Sequence, residues 1–485
     1  MSMSEKEFKA QLERGFNPKV VAVVGAARHN QHRWLKSHLP FMEEHGKLYH
    51  VNINEEEWPG ADELGIQNFK SLVDIPDDVD YVTISVPRNV VPIVLKDCVA
   101  KKVAVAHVFA AGFDEVDEEV GHELGRQVQQ IAEEGNLLVI GPNCMGLYNA
   151  EKGIRQDLNQ PALEAGYMGY ISQSGSQAIG FTLEASVQGV PSSMCFSMGN
   201  GVVLDIHHYI DYLGQEPNTK VIGIYCEGPR DPQEFFKSIE RISSEKPVLV
   251  WKVGQTEDSA RATSAHTGTP YLRQDLWDRL MHKAGAIPVD SLEEMIDTAK
   301  ALAMLPPSFN TNIGILAASG GHSTEMANVF SKEGFRVVPL TQKSYDRLGE
   351  FFNLIGGNYV NPIQGSSDRF SDIVEILGDD DNLDVVAVEV GAGRLLTRKE
   401  ANDPWLIGDS QIENVIETFN KFKENSSKTL ICVVTTSFPR VDSSVMESID
   451  KRFTDAGIPI FYSFQRAARS LKHVVDRHST MAYLR

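Results

Sequence analysis

Three short stretches carry residue types that could do chemistry. In RATSAHTGTPYL, residues 261–272, His266 stands among small and hydroxyl residues with a glycine two places on. Such neighbours let a loop move and let a bulky phosphate reach the ring, and they equally describe a surface loop without a task. In YISQSGS, residues 170–176, an apolar run ends at Ser174 and Gly175, where a helix is expected to open. Two hydroxyls and the first N–H groups of that helix suit a phosphoryl group, while an ordinary N-cap is the plainer reading. Glu227 closes the apolar run IGIYCEG, residues 222–228. A carboxylate there can orient an imidazole and stabilise its cation, or simply begin a loop.

Further turns follow apolar runs earlier in the chain: Gly25-Ala26-Ala27, Ala110-Ala111-Gly112 and Gly141-Pro142-Asn143. In an open parallel sheet such turns collect ligands and expose the first N–H groups of the next helix. VGAARHNQ lacks the full G-x-G-x-x-G and a fixed ribose acid, which disfavours a nicotinamide dehydrogenase. Arg28 and the neighbouring histidines favour a phosphate at this first turn. The other histidines give no metal spacing, since His207-His208 is adjacent and His29-x-x-His32 isolated, so no metal is expected. SQSGS has the wrong order for a hydrolase nucleophile.

The elements that must position these residues alternate in type. Apolar runs VVAVV, KLYHVNI, YVTISVP, VAVAHVF and NLLVI are separated by amphipathic stretches at 89–102 and 115–134, the pattern of a parallel sheet with crossover helices. We expect an α/β protein with a Rossmann-like domain at 1–150, a second domain at 160–304 and a third at 311–485. LPPSFNTN, residues 305–312, reads as the clearest linker. YISQSGSQAIGFTLEASVQGV and ILAASGGHSTEMANVFSKEGF share strand, Ser-Gly turn, helix and closing glycine, which suggests a duplicated flavodoxin-like unit.

The chain has 485 residues and a formal charge of −20, which disfavours binding to nucleic acid or an anionic membrane. Five dispersed cysteines without a C-x-x-C pair indicate reduced thiols in a cytoplasmic protein. There is no signal-peptide core and no apolar run of membrane-spanning length.

Taken in order, VVAVVGAAR, YVTISVP, FAAGFDE, GPNCMGLYN, GYISQSGSQA, GNGVVLDIHHYIDYLGQEPNTKVIGIYCEG, KPVLVWKVGQT and SAHTGT closely resemble the α subunit of the NDP-forming acyl-CoA synthetases, relatives of succinyl-CoA synthetase. The resemblance implies a CoA-binding Rossmann-like domain followed by two flavodoxin-like ligase domains. It implies that His266 becomes phosphorylated, that Glu227 positions it, and that Ser174 and Gly175 hold the phosphate. CoA contacts carry over to Gly25, Ala26, Ala27, Val86, Pro87, Ala111, Gly112 and Asn143. Where relatives show a serine and a later glycine, this chain reads AARHNQHRW, which hands the CoA pyrophosphate to Arg28. Glu216 in GQEPNT stands in for an aspartate common before the threonine, and NPIQ lacks an aspartate after its proline. No ATP-grasp domain is recognisable, so ADP/ATP with Mg is expected on a separate ATP-grasp β subunit. The small partners are phosphate and a carboxylic acid or its acyl-CoA. A non-catalytic CoA-binding or regulatory protein of the same fold is the alternative.

Overall fold

The computed structural model describes residues 3–116, 118–259, 261, 263, 274–308, 310–352, 358–365, 369–396, 411–435 and 443–484. They form three six-stranded sheets with flanking helices, divided between two compact units: Met1–Ser186 with Val190–Asp290, and Val187–Gly189 with Ser291–Arg485.

The first sheet holds β1 (Val20–Val24), β2 (Lys47–Val51), β3 (Gln67–Phe69), β4 (Tyr81–Ile84), β5 (Val105–Val108) and β6 (Leu138–Ile140), all parallel, in the order β3-β2-β1-β4-β5-β6. This is the doubly wound dinucleotide-domain order, with its crevice where the winding reverses, between β1 and β4. The apolar runs are explained by burial on both faces. Val21 and Val23 pack into one cluster, Val20, Ala22 and Val24 into the other. Helix Glu119–Gly135 covers one face with Leu124, Val128 and Ala132, each one turn after the last, and ends on Asn136 in the left-handed conformation.

The second sheet holds β7 (Gly146–Asn149), β8 (Met168–Ser172), β9 (Ser192–Ser197), β10 (Val221–Cys226), β11 (Val248–Lys252) and β12 (Ile287–Pro288), in the order β12-β11-β10-β8-β9-β7. Only β7 is antiparallel, pairing with β9. By Gly146 the chain has therefore already crossed to the second sheet. Glu216, expected to stand in for an aspartate, caps its own turn, accepting from the Thr219 N–H at 2.6 Å and hydroxyl at 2.7 Å.

The third sheet holds β13 (Asn312–Ala317), β14 (Arg336–Val337), β15 (Ile363–Gln364), β16 (Val385–Gly391), β17 (Thr429–Thr435) and β18 (Ile460–Phe461), in the order β14-β13-β16-β17-β18 with β15 beside β13. Leaving out β7 and β15, the second and third sheets share one strand order, 2-1-3-4-5 in chain sequence, which is the flavodoxin-like winding. Helix Leu292–Met304 packs within the second compact unit. There Ala301 packs with Ala467, Ala468 and Leu471, Asp297 pairs with Arg466 at 2.5 Å, and the fully buried Lys300 faces Asp450 at 3.7 Å. Burial pushes the Lys300 ammonium below the usual lysine range and the Asp297 and Asp450 carboxyls above theirs. All five cysteines are buried and none forms a disulfide. Among the described residues no helix is long and apolar enough to cross a membrane.

Candidate active site

Turns line up along the carboxyl edge of the first sheet in the order of their strands. After β1, Gly25 has φ +88°, and a Cβ there would lie 2.4 Å from the Ser85 carbonyl oxygen and 2.6 Å from Val86 Cγ1. Only glycine fits, because the backbone is left-handed here and Ser85 and Val86, at the end of β4, crowd the position. The Ala26 carbonyl accepts from His50 Nε2 at 3.1 Å and Asn52 Nδ2 at 3.0 Å, so the turn is held from β2. The Arg88 guanidinium reaches from the β4 turn to the Gly112 carbonyl at 2.8 Å, and the Asn143 N–H donates to the Ala110 carbonyl at 2.9 Å. Gly25, Val86, Gly112 and Asn143 thus lie on one connected rim.

Several site residues differ in detail from expectation. Gly25-Ala26-Ala27 does not open directly on an α-helix; it runs into a 3-10 turn, Arg28–Asn30, and then a five-residue helix, Arg33–Ser37. Two left-handed residues, Gln31 and His32, interrupt the winding between them. Arg28 is exposed and already engaged: its N–H donates to Glu57 at 2.7 Å, and its guanidinium lies 3.4 Å from Glu57 and 3.6 Å from Glu56. The Gly112 N–H donates to the carboxylate of Glu115, which also accepts from the Phe113 N–H at 3.1 Å and Asn200 Nδ2 at 2.5 Å. An anion-binding set of donors therefore exists at this turn and is filled by the chain's own carboxylate.

At the mouth of the second sheet, helix Gly175–Val187 starts directly after β8 and the two residues Gln173-Ser174. The Ser174 N–H is taken by Ser172 Oγ at 3.1 Å, and Ser174 Oγ lies 3.1 Å from Ser176 Oγ. The donors facing outward from the helix start are accordingly the N–H groups of Gly175 and Ser176, which have no carbonyl one turn earlier. Glu227, only 3% exposed, follows β10 on the adjacent strand. Gln173 locks it there: its Oε1 accepts from the Glu227 and Gly228 N–H groups at 2.6 and 2.9 Å, and its Nε2 donates to the Gly228 carbonyl at 2.8 Å. Lys252 Nζ donates to the Glu227 carbonyl at 2.8 Å, and its burial lowers the ammonium pKa. The Tyr225 hydroxyl bonds to Glu227, and its pKa is pushed up to about 12 by burial and then by that carboxylate. His266 lies outside the described residues.

The two mouths meet. A cavity of about 260 Å³ is lined by Phe109, Ala110, Ala111 and Asn143 from the first domain, by Cys144 and Met145 of the crossing, and by Gln173 and Gly175 from the second. A Cβ on Gly175 would stand 2.8 Å from Met145 Cγ, so glycine lets the helix start approach the crossing closely. Among the described residues no group of three His, Cys, Asp or Glu side chains could hold a metal ion. The sequence reading passed over Gln173 and Glu115. The signal for Gln173 was a polar amide directly after a strand and before the Ser-Gly pair; Glu115 carried none, since its role depends on Asn200, distant in sequence.

Residues 19–150 match a CoA binding domain, and residues 165–302 a succinyl-CoA ligase like flavodoxin domain. The acetate–CoA ligase [ADP-forming] I subunit alpha of Pyrococcus furiosus is 30% identical over 363 residues, covering 73% of this chain and 76% of that protein. The acetate–CoA ligase [ADP-forming] I of Archaeoglobus fulgidus is 30% identical over 478 residues, 97% of this chain; the chain spans 64% of that relative's length. In fold, the chain matches the dinucleotide forming acetyl-coenzyme A synthetase 1 of Ca. Korarchaeum cryptofilum, solved with phosphate and ADP, with a TM-score of 0.82, 24% identity and 98% coverage of both chains.

Proposed function

Because the chain belongs to the ADP-forming acyl-CoA synthetases, relatives of succinyl-CoA synthetase, we propose that it is the α part of an acid–thiol ligase. The reaction is acyl-CoA + ADP + phosphate ⇌ carboxylic acid + ATP + CoA. The observation that carries this reading is the shared cavity, in which the CoA-domain rim at Ala111 and Asn143 faces the helix start at Gly175.

The steps follow from that juxtaposition. CoA lies along the rim formed by Gly25, Ala26, Ala27, Val86, Pro87, Ala111, Gly112 and Asn143, with Arg28 and the donors now bonded to Glu115 exchanging carboxylate for phosphate oxygens. Phosphate adds to the thioester carbonyl and the C–S bond breaks, leaving an acyl phosphate and the CoA thiolate. The Gly175 and Ser176 N–H groups and the Ser174 hydroxyl hold the phosphoryl oxygens at the positive end of the helix. A ring nitrogen of His266 attacks phosphorus; the N–P bond forms, the P–O bond to the acyl group breaks, and the carboxylic acid leaves as its anion. Glu227 holds the ring through its second nitrogen and stabilises the positive charge that develops on it. ADP, carried with Mg on a separate ATP-grasp subunit, then takes the phosphoryl group. Five buried thiols suit a reducing, cytoplasmic setting.

The test is ATP formation from a panel of acyl-CoAs by the chain combined with its co-purified partner. His266→Ala is expected to lower turnover by at least about 10³-fold, as removal of a covalent nucleophile does, and to abolish an acid-labile phosphoryl adduct seen by mass spectrometry in the parent. Turnover that survives this substitution overturns the reading. A chain that binds CoA yet makes no ATP with its partner is the non-catalytic alternative.

A further inference from the structure

The third domain carries a histidine–carboxylate pair that the ligase reading leaves unused. After β13 the chain reads ASGGHST; Ser319 caps helix Gly320–Lys332, accepting from the His322 N–H, so His322 stands in the first helical turn. Its Nδ1 lies 2.6 Å from Glu389 Oε1, near the end of the adjacent strand β16. The Glu389 side chain is 1% exposed against 34% for His322. The same Oε1 accepts from the Thr435 hydroxyl at 2.8 Å, and Oε2 accepts from the Ala318 N–H at 2.8 Å. Phe464 meets the imidazole at 69° with centroids 5.6 Å apart, fixing the ring plane.

This arrangement selects a tautomer. A carboxylate already accepting from a hydroxyl and an amide is an acceptor toward the ring as well, so the proton of neutral His322 sits on Nδ1 and the lone pair on Nε2. Nε2 is the ring nitrogen away from Glu389, on a partly exposed side chain in the first turn of a helix whose dipole and orphan N–H groups favour an arriving anion and disfavour a metal cation. A buried carboxylate behind Nδ1 fixes the orientation of the ring and compensates the charge it gains when Nε2 forms a bond.

We propose that His322 is a second phosphoryl-accepting histidine, taking its phosphate from an activated phosphoryl donor with a small leaving group, such as an acyl phosphate or phosphoramidate. The Nε2 lone pair attacks phosphorus and forms the N–P bond. The bond from phosphorus to the leaving group breaks, and the carboxylate, or ammonia from phosphoramidate, departs with its electron pair. The Nδ1 proton stays shared with Glu389. Only the acyl phosphate donor rests on the ligase reading.

The experiment uses the whole chain bearing His266→Ala, incubated with phosphoramidate and separately with acetyl phosphate, quenched in alkali, digested and mapped by mass spectrometry. The expected result is an acid-labile phosphoryl group on the His322 peptide, formed at least about tenfold faster than on exposed His45, as activation of a ring by a fixed carboxylate implies. His322→Asn, whose amide can keep the bond to Glu389 but offers no nucleophile, should abolish it. Glu389→Gln, checked for fold by circular dichroism, should slow labelling about tenfold. Labelling of His322 no faster than His45, or unchanged by Glu389→Gln, overturns the proposal. The parent chain, labelled and digested in parallel, reports the adduct on His266, so failure of the ligase reading is scored separately.

Discussion

After β8 of the second sheet comes Gln173, whose side-chain amide grips the backbone of Glu227 and Gly228; after β13 of the third comes Ala318, whose N–H goes to the Glu389 carboxylate. Both helices then open on Ser-Gly, at Ser174-Gly175 and Ser319-Gly320. The register Leu316↔Val388 sets Glu389 opposite Ala317, as Tyr225 lies opposite Ser172, so the carboxylate sits two residues earlier in the third sheet than Glu227 does in the second. That displacement decides what it can reach. Glu389, on β16, lies 2.6 Å from a histidine in the first turn of the helix after β13, whereas Glu227 follows the strand end and is held by its backbone. One strand order supports either a histidine–carboxylate pair completed in the first helical turn or a carboxylate beyond the strand end, bonded to Tyr225.

Substitutions can break or sharpen this contrast. The largest effect is expected for Glu227→Gln, which should lower turnover about 10²-fold, in the range for a side chain that sets the protonation of a reacting group. A loss under about twofold would mean that Glu227 merely ends a strand, although general acid–base contributions of about 10² or more are expected otherwise. Gln173→Ala leaves two buried N–H groups and one carbonyl without partners. It should destabilise the first compact unit by about 1–3 kcal/mol in urea unfolding, with a further drop in turnover because Glu227 is no longer locked. Glu389→Gln keeps one acceptor and should cost about 1 kcal/mol in the same experiment; the Nδ1–H proton resonance of His322 should shift or vanish.

Glu227→Gln also has a titration signature. Burial and then the Glu227 carboxylate hold the Tyr225 phenol at about 12. Removing the carboxylate removes the repulsion toward phenolate, so the pKa falls, yet it stays above the free value because burial is the larger cause. The difference in ultraviolet absorbance between the two proteins on alkaline titration reads this, and an unchanged curve would separate Tyr225 from Glu227. The smallest effects belong to Gly175→Ala and Gly320→Ala. Each new methyl meets the flexible part of a side chain, Met145 Cγ or Gln364 Oε1, at 2.8 Å. Helix propensity gained and crowding incurred should offset to within about 1 kcal/mol.

The alternation of apolar runs and amphipathic stretches made the α/β class legible, and the ordered motifs identified the fold, because strands buried on both faces leave an unmistakable record. What escaped has physical causes. β3 reads QNF, short and polar at a sheet edge, and β7 gains its antiparallel place only from β9, some 45 residues later. The prolines of LPPSFNTN stop a helix but say nothing about what that helix packs against, and by contacts it groups with the residues that follow it. In the site, the glycine at 25 was legible because no other residue fits its backbone. The occupancy of Arg28 by Glu57 and of the Gly112 N–H by Glu115 was not, since residue type shows a donor but not who accepts from it.

The helix at Leu292–Met304 bears on how the protein can be cut. A fragment starting at residue 311, the apparent edge of the third domain, discards Asp297 and Lys300 and strands Arg466 and Asp450 inside the fold without counter-charges. Orphaning one member of a buried ion pair costs about 3–5 kcal/mol, enough to consume a typical domain's margin. Any excised or swapped version of this module should begin before Ser291, whose hydroxyl caps the helix that carries those charges.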